Sequence, residues 1–252
     1  MTSVTDPVPK FELVLYHAWA SSASRKVRFA LEEKGLAWTG VVVKLLENEQ
    51  LTPDYLKLNP NGVVPTLVHH GRVVIESSVI NEYLEDVFPD RALRPVDPLT
   101  RAHMRVWTQY VDTDVIKLFM VLNWNRMMGP TASRWSESQL GDKLARTPMP
   151  ERAEAWRRVA REPFTEAERQ RAVAGIRHCL DKMERDLGDG PWLAGDMFTL
   201  ADIALSPYIV RIGETAELGL TLEGYPRVRD WWQRLTARPA FARARIEALK
   251  LG

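Results

Sequence analysis

Residues 11–35, FELVLYHAWASSASRKVRFALEEKG, constrain the fold more than any other stretch. Phe11 to Tyr16 have the length and apolar character of a strand, and His17 to Ala20 read as a loop. Ser21-Ser22-Ala23-Ser24 then open an amphipathic helix that stops at Lys34-Gly35. Serine oxygens accept hydrogen bonds from first-turn amides that have no partner inside a helix. Gly35 suits the left-handed residue that usually follows a helix end. Such a strand-loop-helix corner aims amides, hydroxyls and the positive end of a helix dipole at one spot, an arrangement suited to an anion.

The following residues keep alternating. Leu36–Leu45, with Trp38 and Val41-Val42-Val43, predicts a strand, and Thr52–Leu58 predicts a short helix with proline near its start. Asn59-Pro60-Asn61-Gly62 is a turn, Val63–Val68 an extended segment, and His69-His70-Gly71-Arg72 a tight hairpin turn into Val73–Ile75. Glu76-Ser77-Ser78 opens a helix whose apolar face includes Val79, Ile80, Tyr83, Leu84 and Val87. The order is βαβ, a small helix, then ββα.

Phe88–Pro98 is punctuated by proline and has no clear period, so residues 89–98 read as a linker. The domain plan is therefore a flexible tail at 1–10, an α/β domain at 11–88 and an all-helical domain at 99–252. Within the last, Leu99–Met127 is long enough for one extended helix. Residues 129–150 are polar and broken, consistent with a loop and one short helix. Glu151–Leu187 is helical and divided by Pro163, and further helices start at Thr199 and Tyr225.

Composition narrows the function classes. The 252 residues are 45% hydrophobic and 27% charged with a formal net charge of +1, so electrostatics favours neither nucleic acid nor an acidic membrane surface. The single cysteine, Cys179, excludes an intrachain disulfide and a cysteine-based zinc site. The start MTSVTDPVPK lacks a charged-then-apolar signal pattern, and no apolar run approaches the roughly 18–20 residues that cross a bilayer. A cytoplasmic protein is expected. His69 and His70 fit a turn, and His103 and His178 lack partners at ligand spacing, so no metal is expected. His17 alone lies beside the serine corner.

Three short motifs carry chemistry, each with a plainer reading beside it. At the corner, no paired histidine and acid accompany Ser21, as a nucleophilic serine requires. A serine hydroxyl can instead donate to a bound sulfur anion. One bond to a charged group is worth about 1.5–3 kcal/mol, and one pKa unit about 1.4 kcal/mol, enough to lower a thiol from about 8.5 by one or two units. The plainer reading is a helix cap. At Val64-Pro65, a cis bond would leave the Val64 amide and carbonyl free for an extended peptide-like ligand, whereas the alternative is an ordinary edge-strand proline. At Glu76-Ser77, the helix start can hold a carboxylate while the acid receives an amino group, or the pair is another cap. Thr199-Leu200-Ala201-Asp202 is a structural capping box.

Together these pieces resemble the glutathione transferase family. The markers are SSASRKVRFALEEKG, NPNGVVPTLVHHGRVVIESSVINEYLED, MFTLADIALSP and YPRVRDWWQRLTARPAF, spanning Leu13 to about Phe241. The resemblance implies a thioredoxin-like domain that binds glutathione as co-substrate, an all-helical domain that supplies most of an electrophile pocket, and a homodimer. Ser21 matches the catalytic serine of zeta- and theta-like members, with Ser22 and Ser24 as rivals. Val64, before Pro65, would pair with the cysteinyl backbone, Glu76 and Ser77 with the γ-glutamyl end, and Gln50 falls where zeta-like members touch the tripeptide. Zeta-like members carry a cysteine after the two serines, and Ala23 stands here instead, which argues against their isomerase activity.

The C-terminal half is similar to bacterial glutathione-dependent β-etherases, through Leu93–Pro98, Arg101–Thr108, Pro150–Arg158 and Phe164. In those enzymes the active serine aligns with Ser24. Expected functions are thiolate transfer to a small hydrophobic electrophile, as in detoxification; cleavage of a β-aryl ether, as in aromatic-compound catabolism; or a non-catalytic binding or assembly module. Trp19, Tyr110, Phe119 and Trp124 are the aromatic candidates for the electrophile pocket, each also a candidate for plain core.

Overall fold

The computed structural model describes residues 13–213 and 219–247, so the expected tail at 1–10 lies outside the described residues. Leu13–His17 (β1) pairs in parallel with Trp38–Val42 (β2) and antiparallel with Thr66–His69 (β3), which pairs antiparallel with Arg72–Ile75 (β4). The sheet order is β2-β1-β3-β4. Ser22–Lys34 (α1) makes the crossover between the parallel strands, and Ser77–Val87 (α3) follows the hairpin. Between them Pro53–Leu58 (α2) starts at the Thr52 cap. His17 is the last residue of β1 rather than the first of a loop, and β2 is shorter than the apolar run suggested. The His69–Arg72 turn is made by His70 at φ 51° and Gly71 at φ 73°, the left-handed pair that a two-residue hairpin requires.

A second, helical part packs on α1. Pro98–Tyr110 (α4) runs through a π-turn at Val111–Val115 into Ile116–Met127 (α5). The expected single long helix is thus two segments joined by an irregular turn. Residues 129–150 contain two helices, Gly129–Ala132 (α6) and Glu137–Ala145 (α7), where one was expected. The second has its own capping box at Ser136 and Gln139, a local signal that the polar composition masked. Pro150–Arg161 (α8) and Glu166–Asp186 (α9) flank Pro163. Leu200–Gly213 (α10) is buried along its length from Leu200 to Ile212, and Pro226–Thr236 (α11) and Pro239–Arg243 (α12) close the described chain.

The capping box at Thr199 is satisfied as its spacing implied. Asp202 accepts from the Thr199 N–H at 2.8 Å, the Leu193 N–H at 3.0 Å and Trp231 Nε1 at 2.7 Å. Burial pushes its carboxyl pKa up, and these donors oppose that shift by favouring the ionised form.

The main departure from the sequence pattern is α1. Its Arg25, Lys26 and Arg28 belong to a nominal polar face, yet each is buried. The helix is covered by α3 on one side and by α10 and α12 on another. Charges in such a position need partners. Lys26 Nζ meets Asp112 of the π-turn at 2.6 Å and the Ser78 hydroxyl at 3.0 Å. Arg28 donates to the Ala244 carbonyl at 2.9 Å and the Ala18 carbonyl at 3.2 Å. One apolar core runs from β1 and α1 into α4, α5, α9, α10 and α11.

Candidate active site

One row across the sheet organises the site. Tyr16 of β1 faces Thr66 of β3, and Thr66 faces Ile75 of β4. Because β1 and β4 end at this edge while β3 begins there, three connections converge. They carry Ser21 after β1, Val64-Pro65 before β3 and Glu76-Ser77 after β4. β2 ends at the same edge, where the Val43 N–H donates to the His17 carbonyl at 2.8 Å, and the chain then leads to Gln50.

Ser21 is the residue preceding α1. Its Oγ accepts from the Ser24 N–H at 3.2 Å, and among the described residues its own proton has no acceptor. It is half-buried, so that proton is available to a ligand. Ser24 is fully buried, and its oxygen accepts from the Ala18 N–H at 3.3 Å. The Ser22 oxygen accepts from Arg211 Nε at 3.4 Å, and the same guanidinium donates to the Ala20 carbonyl. His17 is no base for these serines. Its ring is buried, Nδ1 lies 3.4 Å from Arg28, and burial, then the Arg28 charge, push its pKa down to about 4. Gly40 of β2 leaves the room this ring occupies, since a Cβ there would lie 2.9 Å from His17 Nε2.

The Val64-Pro65 peptide is cis. Among the described residues neither the Val64 N–H nor its carbonyl has a hydrogen-bond partner. The preceding residue is pinned instead. The Val63 carbonyl accepts from the Tyr55 hydroxyl at 2.7 Å and from Asn59 Nδ2 at 2.8 Å, and both side chains also reach Thr66 Oγ1. These two positioning residues were not evident in the sequence beyond their place in and before the NPNGVVP turn. Gln50 is buried; its Nε2 donates to the Leu45 carbonyl at 3.4 Å and its Oε1 is buried without a partner. Glu76 stands at φ 68° and accepts from Asn61 Nδ2 at 3.2 Å. No side chain caps α3, so its first-turn amides at Ser77 are open to an anion.

The four aromatic candidates are not gathered by direct ring contact. Trp19 carries the Arg28 and Arg245 guanidinium groups at 4.8 and 4.7 Å from its ring centre. Tyr110 packs on Trp107 at 6.0 Å and lies beside Cys179, whose thiol burial pushes up to about 12. Phe119 meets Tyr208 of α10 at 5.5 Å. Trp124 packs on Trp156 at 5.1 Å in a smaller core with α6, α7 and α8, beneath the Arg152 guanidinium. Arg211 is a residue that the motifs missed; a lone cation among the apolar residues of α10 was its only signal. An apolar cleft of about 590 Å³ between α10, α11 and α12 contains none of the converging residues.

Two family models match the chain: "Glutathione S-transferase, N-terminal domain" over residues 20–87 and "Glutathione S-transferase, C-terminal domain" over residues 166–234. Protein LigF of Sphingobium sp. strain SYK-6 is 35% identical over 90% of this chain and 91% of its own length. The crystal structure of that beta-etherase superposes with a TM-score of 0.84 at 33% identity, covering 92% of this chain and 98% of that one. The maleylacetoacetate isomerase of Pseudomonas aeruginosa is 32% identical over 91% of this chain and 94% of its own length. A theta class glutathione S-transferase from Xanthomonas axonopodis pv. citri, solved with glutathione bound, is 27% identical with a TM-score of 0.70, covering 94% of this chain and 99% of that one.

Proposed function

Since the chain belongs to the glutathione S-transferase family, we propose that it binds glutathione at this edge of the sheet and transfers it to a small hydrophobic electrophile. The observation that carries the reading is the Tyr16–Thr66–Ile75 row, which brings the loops of Ser21, Val64 and Glu76-Ser77 to one end. Those groups complement a γ-glutamyl tripeptide from end to end. The open amides of α3 suit its α-carboxylate, Glu76 its amino group, and the unpaired Val64 amide and carbonyl its cysteinyl backbone. The orphaned Gln50 Oε1 suits one of its amide N–H groups. The Ser21 proton then points at the sulfur, where it and the α1 dipole favour the thiolate.

The chemical step follows from that poise. The thiolate attacks an electrophilic carbon, a carbon–sulfur bond forms, and the leaving group departs with the bonding electrons. The burial of Ser24 supports Ser21 as the hydroxyl that meets sulfur. Calorimetric titration of the full chain with glutathione tests the reading. Saturable binding at or below the order of millimolar is expected. No saturation there would favour the non-catalytic module instead.

The similarity to LigF supports a second reading, in which the carbon attacked is that of a β-aryl ether. The carbon–oxygen bond then breaks and a phenolate leaves, to be protonated by solvent. Phenol release from a model β-aryl ether separates it from simple conjugation, and either reading fits a role in aromatic-compound catabolism or detoxification.

The protein is further read as a cytoplasmic homodimer. α3 and α4 are joined by the Glu82–Arg105 ion pair, with Arg94 of the intervening segment also on Glu82, and they leave Val79, Leu99 and Val106 exposed. Sedimentation of the purified chain as a monomer would refute that assembly.

A further inference from the structure

Arg152 of α8 is a cation with no carboxylate at ion-pair distance among the described residues. It is half-buried, and among the described residues its guanidinium makes no hydrogen bond or ion pair. The Trp124 ring lies beside it, 5.8 Å from the guanidinium carbon. Burial lowers its pKa from the ordinary arginine value, and the groups within its electrostatic reach are Tyr208, Glu151 and Glu76. Most other half-buried arginines of α8 and its neighbours have acidic partners, as Arg158 has Glu168 at 2.7 Å and Arg161 has Glu137 at 2.8 Å. Leaving one cation unpaired in a partly desolvated position is costly unless something else completes it.

The surroundings of Arg152 specify what that is. Tyr208 is buried, and among the described residues its hydroxyl makes no hydrogen bond, although Arg152, Arg211 and Asp112 all act on it. Its ring packs on Phe119. Phe119 and Trp124 both belong to α5, so one helix contributes the ring beside the tyrosine and the ring beneath the arginine. Arg211 binds the Ser22 hydroxyl and the Ala20 carbonyl, which links this cluster to the serine loop. Glu76 links it to the other end of the peptide site.

We propose that Arg152 and the Tyr208 hydroxyl, flanked by the Phe119 and Trp124 rings, form the site for the carboxylate of an aromatic second substrate. The proposal rests on the transferase reading and deepens it, since it makes the electrophile amphipathic rather than simply hydrophobic. A planar guanidinium fork with one neutral hydroxyl matches a planar monoanion in charge and donor number, whereas a phosphate would call for more cations. The rings supply an apolar face of aromatic width.

The test is calorimetry on the full chain with 4-nitrobenzoate and its neutral analogue 4-nitrobenzamide, with and without S-methylglutathione. The wild type is expected to prefer the carboxylate by about tenfold or more, a preference that Arg152→Met removes, Arg152→Lys keeps in part and Tyr208→Phe reduces about threefold. Equal affinity of the wild type for the two probes overturns the site, and that arm needs no variant to fold. So does an unchanged preference in a folded Arg152→Met protein. If Arg152→Met weakens glutathione binding while the probe ratio stays, Arg152 serves the tripeptide, and the site is overturned while the transferase reading stands. If glutathione does not bind but the carboxylate preference and its loss in Arg152→Met are seen, the site stands and the transferase reading fails.

Discussion

Arg211 and Ser22 are joined across 189 residues by a hydrogen bond of 3.4 Å from Nε to Oγ. A buried helix of the second half of the chain thereby fixes the loop that carries Ser21, and it places a cation beside the proposed sulfur position. Arg211→Met is expected to raise the pKa of bound glutathione and to lower kcat/KM roughly tenfold, through lost positioning and lost charge. Arg211→Lys should restore part of the pKa effect and little of the geometry. Thiolate absorbance of the bound tripeptide against pH checks this, because a purely structural role would leave that pKa in place.

Ser21→Ala is expected to raise the same pKa by one to two units and to cut turnover roughly tenfold or more, the loss of one bond of about 1.5–3 kcal/mol. Ser24→Ala leaves the buried Ala18 N–H unpaired, so its expected cost is stability, about 1–3 kcal/mol, with the thiol pKa unmoved. Retained turnover in Ser21→Ala with collapse in Ser24→Ala would transfer the catalytic role to Ser24.

Asn59 and Tyr55 hold the Val63 carbonyl, and through it the neighbouring Val64. Asn59→Ala removes two donors and the acceptor that receives the Asn61 N–H at 3.0 Å. The expected result is a several-fold rise in KM for glutathione and a stability loss of about 1–3 kcal/mol. Tyr55→Phe should have the smaller effect, since Asn59 keeps both of its contacts. Steady-state kinetics with denaturant unfolding of both variants checks the order.

Acid stability should report His17. Its folded pKa of about 4 lies below its value of 6.5 when exposed, so between those pH values the native state binds fewer protons than the unfolded chain. The contribution is present above pH 6.5 and is lost as pH falls towards 4. At about 1.4 kcal/mol per pH unit that interval corresponds to at most about 3.5 kcal/mol. Unfolding free energies of His17→Asn measured across the interval should have a shallower slope than the wild type, whatever their absolute level.

Asp202→Ala leaves Trp231 Nε1 and two buried N–H groups without an acceptor, and an expected loss of about 3–5 kcal/mol follows. Thermal unfolding detects it directly. Asp202→Asn should lose less, because the amide oxygen can still accept.

The amino-acid sequence by itself determined the alternation of strands and helices, the caps at Ser21 and Thr199, the strand that follows Val64-Pro65 and the helix start at Ser77. All of these rest on periodicity or on hydrogen bonds between residues a few positions apart, so the information is local. Only the tertiary structure decided that Arg25, Lys26 and Arg28 are buried, because the groups that compensate Lys26 and Arg28 lie at Asp112 and Ala244. The same holds for Arg211 on the Ser22 loop, and for Tyr55 and Asn59 behind Val63. The aromatic residues were legible as side chains but not as neighbours. Phe119 went to Tyr208 and Trp124 to Arg152, since helix packing, and not spacing along the chain, sets which faces meet, whereas Tyr110 meets Trp107 three residues before it on α4 by helix periodicity alone.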